Sequence, residues 1–321
     1  AGIAALAKTE PDNPLTRVKG SNLRTALTDF VKELNAMGLG YTAPGDENLT
    51  ALLPYGVTKT TLSVPDTMRP GIEALTAKAP ALIVDFDGLQ GFSAKEFVTN
   101  IAAKWPGLDT CRLTFPDMQG KQVFSEVMAR ALETSRTREQ LAHLIRPYIG
   151  AATHVGLPAI LGVHGPDAVR ADMEKRLGVT LFEIPTIPPG VAGIRLRELF
   201  EHELPTRGVQ LAPNGWVSNV RFDADGVTLG IHGPMEDLEV RADAVVLATG
   251  RFLSGGLGSD REGVFEKLIG LPLKQPETRE DWFRSDYLDP KGHALNRAGV
   301  PVDAAFRPVG TDGSPVDRRL F

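Results

Sequence analysis

The chain has 321 residues, a formal net charge of −5, 42% hydrophobic residues and 23% charged residues. These are ordinary values for a soluble globular protein, long enough for two domains with a sizeable core, and the mild acidity argues against non-specific nucleic-acid binding, which needs a basic footprint. No apolar run reaches the roughly 18 residues of a transmembrane helix; the single cysteine, Cys111, excludes an internal disulfide and a thiolate-held iron–sulfur cluster; and the six histidines show no H-E-x-x-H zinc spacing.

Residues 1–78 read as helical pieces and extended loops. Ser21 to Met37 carries Leu23, Leu27, Phe30, Val31 and Leu34 at helical spacing, and Gly38 and Gly40 end it. Residues 79–185 alternate strand and helix, which predicts a mainly parallel sheet with covering helices. The predicted strands are 81–86, the segment around Cys111, Leu157 to Val163 and Val179 to Ile184. Ser93-Ala94-Lys95-Glu96 and Thr137-Arg138-Glu139-Gln140 have capping-box form and are predicted to open helices, and Pro166 suits a first helical position.

Thr186-Ile187-Pro188-Pro189-Gly190 breaks the alternation, and a helix follows. Residues 186–321 then read as a further region that contains this helix and a β-meander at 208–241. Its predicted strands are Gly208 to Leu211, Trp216 to Phe222, Val227 to Ile231 and Leu238 to Arg241, with a hairpin signal at Asp223-Ala224-Asp225-Gly226. The chain begins at Ala1 rather than Met, and Asp317 to Phe321 reads as the entry to a strand, so both ends look cut.

The strongest chemical signal is Ala244-Val245-Val246-Leu247-Ala248-Thr249-Gly250, followed by Arg251-Phe252-Leu253-Ser254-Gly255-Gly256. The apolar run predicts a strand buried on both faces. Glycines past its carboxyl end let backbone approach a ligand where open α/β sheets bind them; the alternative is an ordinary strand and turn. The Pro188-Pro189-Gly190 turn precedes a helix whose first amides suit an anion, with Arg195 and Arg197 adding charge; the alternative is a helix start with two solvent-facing arginines. Asp85 and Asp87 are either an acid–base or metal pair or simple turn residues. His154 and His164 flank a predicted strand without an evident partner, and Cys111 reads as a small buried residue. No G-x-G-x-x-G fingerprint occurs; Gly255-Gly256-Leu257-Gly258 is a weaker G-G-x-G pattern.

A strand, a meander and then an Ala-Thr-Gly turn resemble the second half of the two-dinucleotide-binding flavoprotein fold. That resemblance implies that Val217 supplies a backbone group to the adenine. The stretches Thr186 to Leu196 and Val246 to Leu257, with Arg261-Glu262-Gly263-Val264, Ile269-Gly270-Leu271 and Trp282-Phe283, resemble the B subunit of the anaerobic glycerol-3-phosphate dehydrogenases. The resemblance implies a Rossmann-like FAD/NAD(P)-binding α/β fold, incomplete, with an inserted α/β domain of mainly parallel strands and a small β-meander. It implies a flavin, FAD or FMN, lined by Thr249, Gly250 and Arg251, with Gly255 and Gly256 shaping the loop and Arg195 facing substrate. It also implies oxidation of glycerol 3-phosphate to dihydroxyacetone phosphate, with electrons passed toward a quinone. The implied partners are the flavoprotein A subunit and the iron–sulfur C subunit of that complex, and the implied location is cytoplasmic, peripheral to the inner membrane through those partners. The alternative is a non-catalytic assembly or electron-relay component of such a complex. A soluble NAD-linked dehydrogenase lacks its glycine fingerprint here.

Overall fold

A computed structural model describes every residue except Ala1, Asp12, Lys121, Leu288 and Pro290. The chain divides into two compact units, one made of residues 20–210 and the other of residues 1–19 with 211–321.

The unit 20–210 is built on a four-stranded parallel sheet. In spatial order its strands are Leu108–Leu113, Ala81–Phe86, His154–Pro158 and Thr180–Ile184. Every residue of Ala81–Phe86 is buried, as a central parallel strand with both faces covered requires. Trp105 stacks on Phe182 with ring centroids 6.0 Å apart, inside a core that also takes Phe86, Phe97, Met128 and Leu157. The helix Gly20–Ala36 matches its predicted span and buries Val31 and Leu34. Ser93 caps the helix Ala94–Ile101 by accepting from the Glu96 amide. The next predicted cap is displaced by three residues: Thr134 caps Ser135–Ile145, and the Thr137 amide donates to it.

One predicted strand is shorter than expected. The ladder stops at Pro158, and residues 159–163 form a loop. Carboxylates take the amides a longer ladder would use. Glu183 accepts from Leu161 N at 2.7 Å, and Glu133 accepts from Val163 N and His164 N at 2.9 Å each.

The helix Val191–Thr206 belongs to this unit, so the division falls at 210/211 rather than 185/186. Val191 and Ile194 pack with Ala129 and Val163, and Arg195 is bound to Glu183. The predicted strand at Gly208 to Leu211 is absent. Gly208, at φ +82°, turns the chain out of the helix while Val209 N returns to Leu204 O, which is a helix C-terminus.

In the other unit the meander is present as three antiparallel strands, Trp216–Phe222, Val227–His232 and Asp237–Ala242. Its register puts Val217, Val220 and Phe222 on one face with Ile231, Leu229, Val227, Leu238, Val240 and Ala242, an apolar face by period-2 alternation. A hairpin, Leu257–Ser259 with Val264–Glu266, packs Leu257 and Val264 on Trp282. Residues 1–19 join this unit rather than the segment up to 78: Arg17 donates to the carbonyls of Val302 and Asp303, and Arg297 pairs with Glu10.

The expected doubly buried strand at Val245 is corrected. The segment is extended but has one neighbour, the parallel run at Arg319 to Phe321, and Val246 is 75% exposed. A strand is buried on both faces only where flanking strands and covering helices surround it, and the described residues supply a single edge. No helix among the described residues is long and apolar enough to cross a membrane.

Candidate functional site

The run 245–247 is fixed by three backbone hydrogen bonds to the chain end: Val245 N to Arg319 O, Phe321 N to Val245 O and Leu247 N to Phe321 O. Arg319 is in turn held by Asp317 and donates to the carbonyls of Asp223 and Gly226 in the meander turn. The side-chain hydrogen bonds from Arg319 hold the Asp317 carboxyl down to about 2. The Thr249 turn thus starts from a braced base.

After Leu247 the backbone amides change role. Those of Ala248, Thr249 and Gly250 have no hydrogen-bond partner among the described residues. Gly250 turns the chain at φ +71°, and the Arg251 amide donates to Ser254 Oγ at 3.1 Å. The turn lines a cleft of about 390 Å³ with Leu247, Leu257, Glu266, Val300, Val302, Pro308 and Phe321. That volume is near the lower end for a small-molecule cleft, enough for part of a dinucleotide. Three free N–H groups beside an apolar wall suit an anionic group attached to a flat ring system, so the residues fit a flavin nucleotide on this side.

The predicted residues do not all converge. Thr249, Gly250 and Arg251 line the cleft together. A Cβ on Gly256 would lie 2.4 Å from Gly250 O and 2.5 Å from Thr249 Oγ1, so that glycine permits the loop to close on the turn. Gly255, at φ +86°, makes the return turn. Val217 sits on the first meander strand paired with Ile231, and it is not among the residues lining this cleft.

The Arg251 side chain is an internal brace. It donates to Asn296 O and Leu295 O at 2.9 and 3.0 Å. Sequence spacing missed Glu266, Val300, Val302 and Pro308, which lie far along the chain from the Thr-Gly turn. Glu266 accepts from the amides of Leu268, Ile269, Gly270 and Leu271, so both its oxygens are committed to the loop that follows it.

Arg195 is the clearest correction. It lies in the unit 20–210, almost wholly buried, and its guanidinium grips the Glu183 carboxylate and Gly162 O at 2.6–2.9 Å. Burial opposes ionisation of Glu183, but the Arg195 charge and hydrogen bonds outweigh it and hold the carboxyl below its ordinary range. A guanidinium so engaged is a structural strut, not a substrate contact. Asp85 and Asp87 also part company. Asp85 takes Ala94 N and Arg112, and Asp87 takes Thr114 Oγ1, which fits turn and capping roles.

His164 has unexpected neighbours. Its Nδ1 lies 3.3 Å from Glu133 and its Nε2 3.2 Å from Glu198. His154 Nδ1 meets Thr153 Oγ1 at 2.9 Å, and burial lowers its basicity.

A braced run that ends in a glycine turn with open amides, beside an antiparallel meander, suits a flavin nucleotide. The family described as FAD binding domain matches residues 5–317, and the chain belongs to that family.

More particularly, the chain is similar to proteins named as the B subunit of anaerobic glycerol-3-phosphate dehydrogenase. It is 26% identical to one from Vibrio vulnificus (strain YJ016) over 319 residues, covering 95% of this chain and 72% of the relative. It is 24% identical to one from Aliivibrio fischeri (strain ATCC 700601 / ES114) over 329 residues, covering 96% and 72%. A Halobacterium salinarum (strain ATCC 29341 / DSM 671 / R1) protein, named as a probable B subunit of the same enzyme, is 28% identical over 285 residues, covering 84% and 66%. No solved structure matches.

Proposed function

We propose that this chain is a flavin-dependent component of a glycerol-3-phosphate dehydrogenase, with FAD as its cofactor. In such a complex glycerol 3-phosphate is oxidised to dihydroxyacetone phosphate and the electrons go toward a quinone through two partner chains, the flavoprotein A subunit and the iron–sulfur C subunit. The membrane is reached only through those partners, from the cytoplasmic side. The observation that carries this reading is the Thr249–Gly250 turn, whose residues line a cleft and keep three amides without a described partner, in an FAD-binding family member.

The flavin, when bound, is the acceptor of two electrons from the alcohol carbon. The chain's part is positioning. Ala248, Thr249 and Gly250 offer N–H donors, Val300 and Val302 offer an apolar wall, and Arg251 holds the 294–297 turn in place. Val217 contributes, on this reading, through its backbone on the meander.

A second reading, a non-catalytic assembly or electron-relay component, is favoured by one feature of the same cleft. The charged residues lining it are Arg251 and Glu266, and Glu266 is saturated by four amides, which leaves no proton acceptor among the described lining residues. Reconstitution with FAD followed by gel filtration tests the first step. A protein-bound flavin spectrum is expected, and a protein that stays colourless refutes it. Dye reduction by glycerol 3-phosphate with the reconstituted chain alone separates the two readings: turnover supports the dehydrogenase, and turnover seen only after a partner is added supports the relay.

A further inference from the structure

The unit formed by residues 1–19 and 211–321 contains a second, larger cavity, of about 830 Å³, whose lining shares Val300 and Val302 with the flavin cleft. Its lining includes the apolar residues Pro11, Pro14, Val300, Pro301 and Val302. Its charged lining residues are Glu10, Arg17, Lys274 and Arg297, and the charges of the two arginines are poorly cancelled. Arg17 donates to the carbonyls of Val302 and Asp303 and has no carboxylate within ion-pair distance among the described residues. Carbonyl dipoles fix a guanidinium's orientation without removing its unit charge. Arg297, with a side chain 67% exposed, has Glu10 at 3.3 Å as its carboxylate partner. Such an exposed pair is weak. The turn Ala294–Arg297 that presents Arg297 is itself held by Arg251, a residue that also lines the flavin cleft.

We infer that this cavity is a binding site for a small phosphorylated compound, with Arg297 and Arg17 receiving the phosphate and the Val300–Val302 wall receiving the organic part. Arginine forks match phosphate oxygens in pairs, and guanidinium groups together with apolar residues in one cavity suit a phosphate ester. Two sources of that chemistry are at hand, the phosphate of glycerol 3-phosphate and the diphosphate of FAD. Glycerol 3-phosphate as a probe rests on the function proposed above; inorganic phosphate does not.

Calorimetric titration of the purified full chain with inorganic phosphate, glycerol 3-phosphate, glycerol and FAD tests the site. Phosphate and at least one of its organic forms bind, and glycerol does not. Arg297→Gln weakens the phosphate compounds at least tenfold, Arg17→Lys weakens them while keeping the charge, and Glu10→Gln, which frees Arg297, strengthens them. The last effect has the sign that a merely structural role would not produce. Loss confined to glycerol 3-phosphate assigns the cavity to substrate, and loss confined to FAD assigns it to the cofactor diphosphate. Failure of the dehydrogenase reading alone leaves inorganic phosphate bound in an Arg297-dependent way. Unchanged affinity for every phosphate compound in both arginine variants, or no binding by the parent chain, overturns the inference.

Discussion

Replacing Arg195 by Met isolates the energetics of the buried strut that ties the helix Val191–Thr206 to the strand Thr180–Ile184. The side chains of Arg195 and Glu183 are 2% and 0% exposed. Removing the cation leaves Glu183 with Thr67 Oγ1 at 2.6 Å and Leu161 N at 2.7 Å but no counter-charge. Orphaning one half of a buried pair costs about 3–5 kcal/mol. With a urea slope of about 2 kcal/mol per M, that corresponds to a midpoint shift of roughly 2 M.

The pH dependence has a definite sign. In the parent chain Glu183 is depressed by Arg195, so its contribution to stability is full above the unfolded carboxyl value and lost as pH falls through the folded one. In Arg195→Met burial is opposed only by the Thr67 and Leu161 hydrogen bonds, and the folded value moves above the unfolded one. The variant's deficit therefore shrinks between pH 7 and pH 5, as the folded state takes up a proton. Hydrogen exchange of the amides in Thr180–Ile184, alongside urea melts at both pH values, reads the effect in the right unit. Glu183→Leu with Arg195→Met, which removes both charges, is less destabilised than either single change. A deficit below about 1 kcal/mol at pH 7, or one that does not shrink at pH 5, refutes the assignment of a charged, buried Arg195–Glu183 pair.

Three further outcomes follow from the geometry. Gly250→Ala places a Cβ at φ +71° and 2.1 Å from Ser254 Oγ; a loss of about 1–2 kcal/mol from the left-handed backbone alone, seen as a lower melting temperature with weaker FAD binding, is expected, and unchanged FAD affinity would argue against the turn as a cofactor wall. In the sheet, Gly156→Ala puts a Cβ 2.6 Å from Phe182 Cζ and 2.8 Å from Ile83 Cδ1; overpacking by about 1–3 kcal/mol is expected in denaturant melts, partly relieved by Phe182→Leu. Cys111 is buried, and that burial, with the Asp85 charge, pushes its thiol up to about 11; iodoacetamide at pH 7.4 labels it only after unfolding, and rapid labelling of the native chain would contradict the placement.

The parallel sheet was legible mainly because strands such as Ala81–Phe86 are short apolar runs bounded by turn and cap residues, and central burial demands such runs. The meander was legible from period-2 alternation and from the turn at Asp223 to Gly226, where Asp223 Oδ1 takes the Asp225 amide. The misreadings share a physical origin. Leu157 to Val163 looks like one strand because a residue's apolarity does not say whether its amide will bond to a ladder or to a carboxylate. Glu183 and Glu133, 22 and 30 residues from the amides they accept, decided that. Arg195 looked free because its partner is a glutamate inside an apolar strand, where a pattern assigns only a pleat position.

The Thr249–Gly250 turn shows the same division. Local sequence determined that the chain must turn at Gly250 and Gly255, where φ is positive, and that the preceding run must be extended. It also carried the family likeness, because that likeness resides in contiguous stretches of residues. Only the tertiary structure decided what faces the turn: the wall of Val300 and Val302, the brace from Arg251 to the 294–297 turn, the exposure of Val246, and the removal of Arg195 from the list of anion contacts. Backbone conformation is set by near neighbours, whereas burial, pairing and charge compensation depend on residues that meet only once the chain has folded.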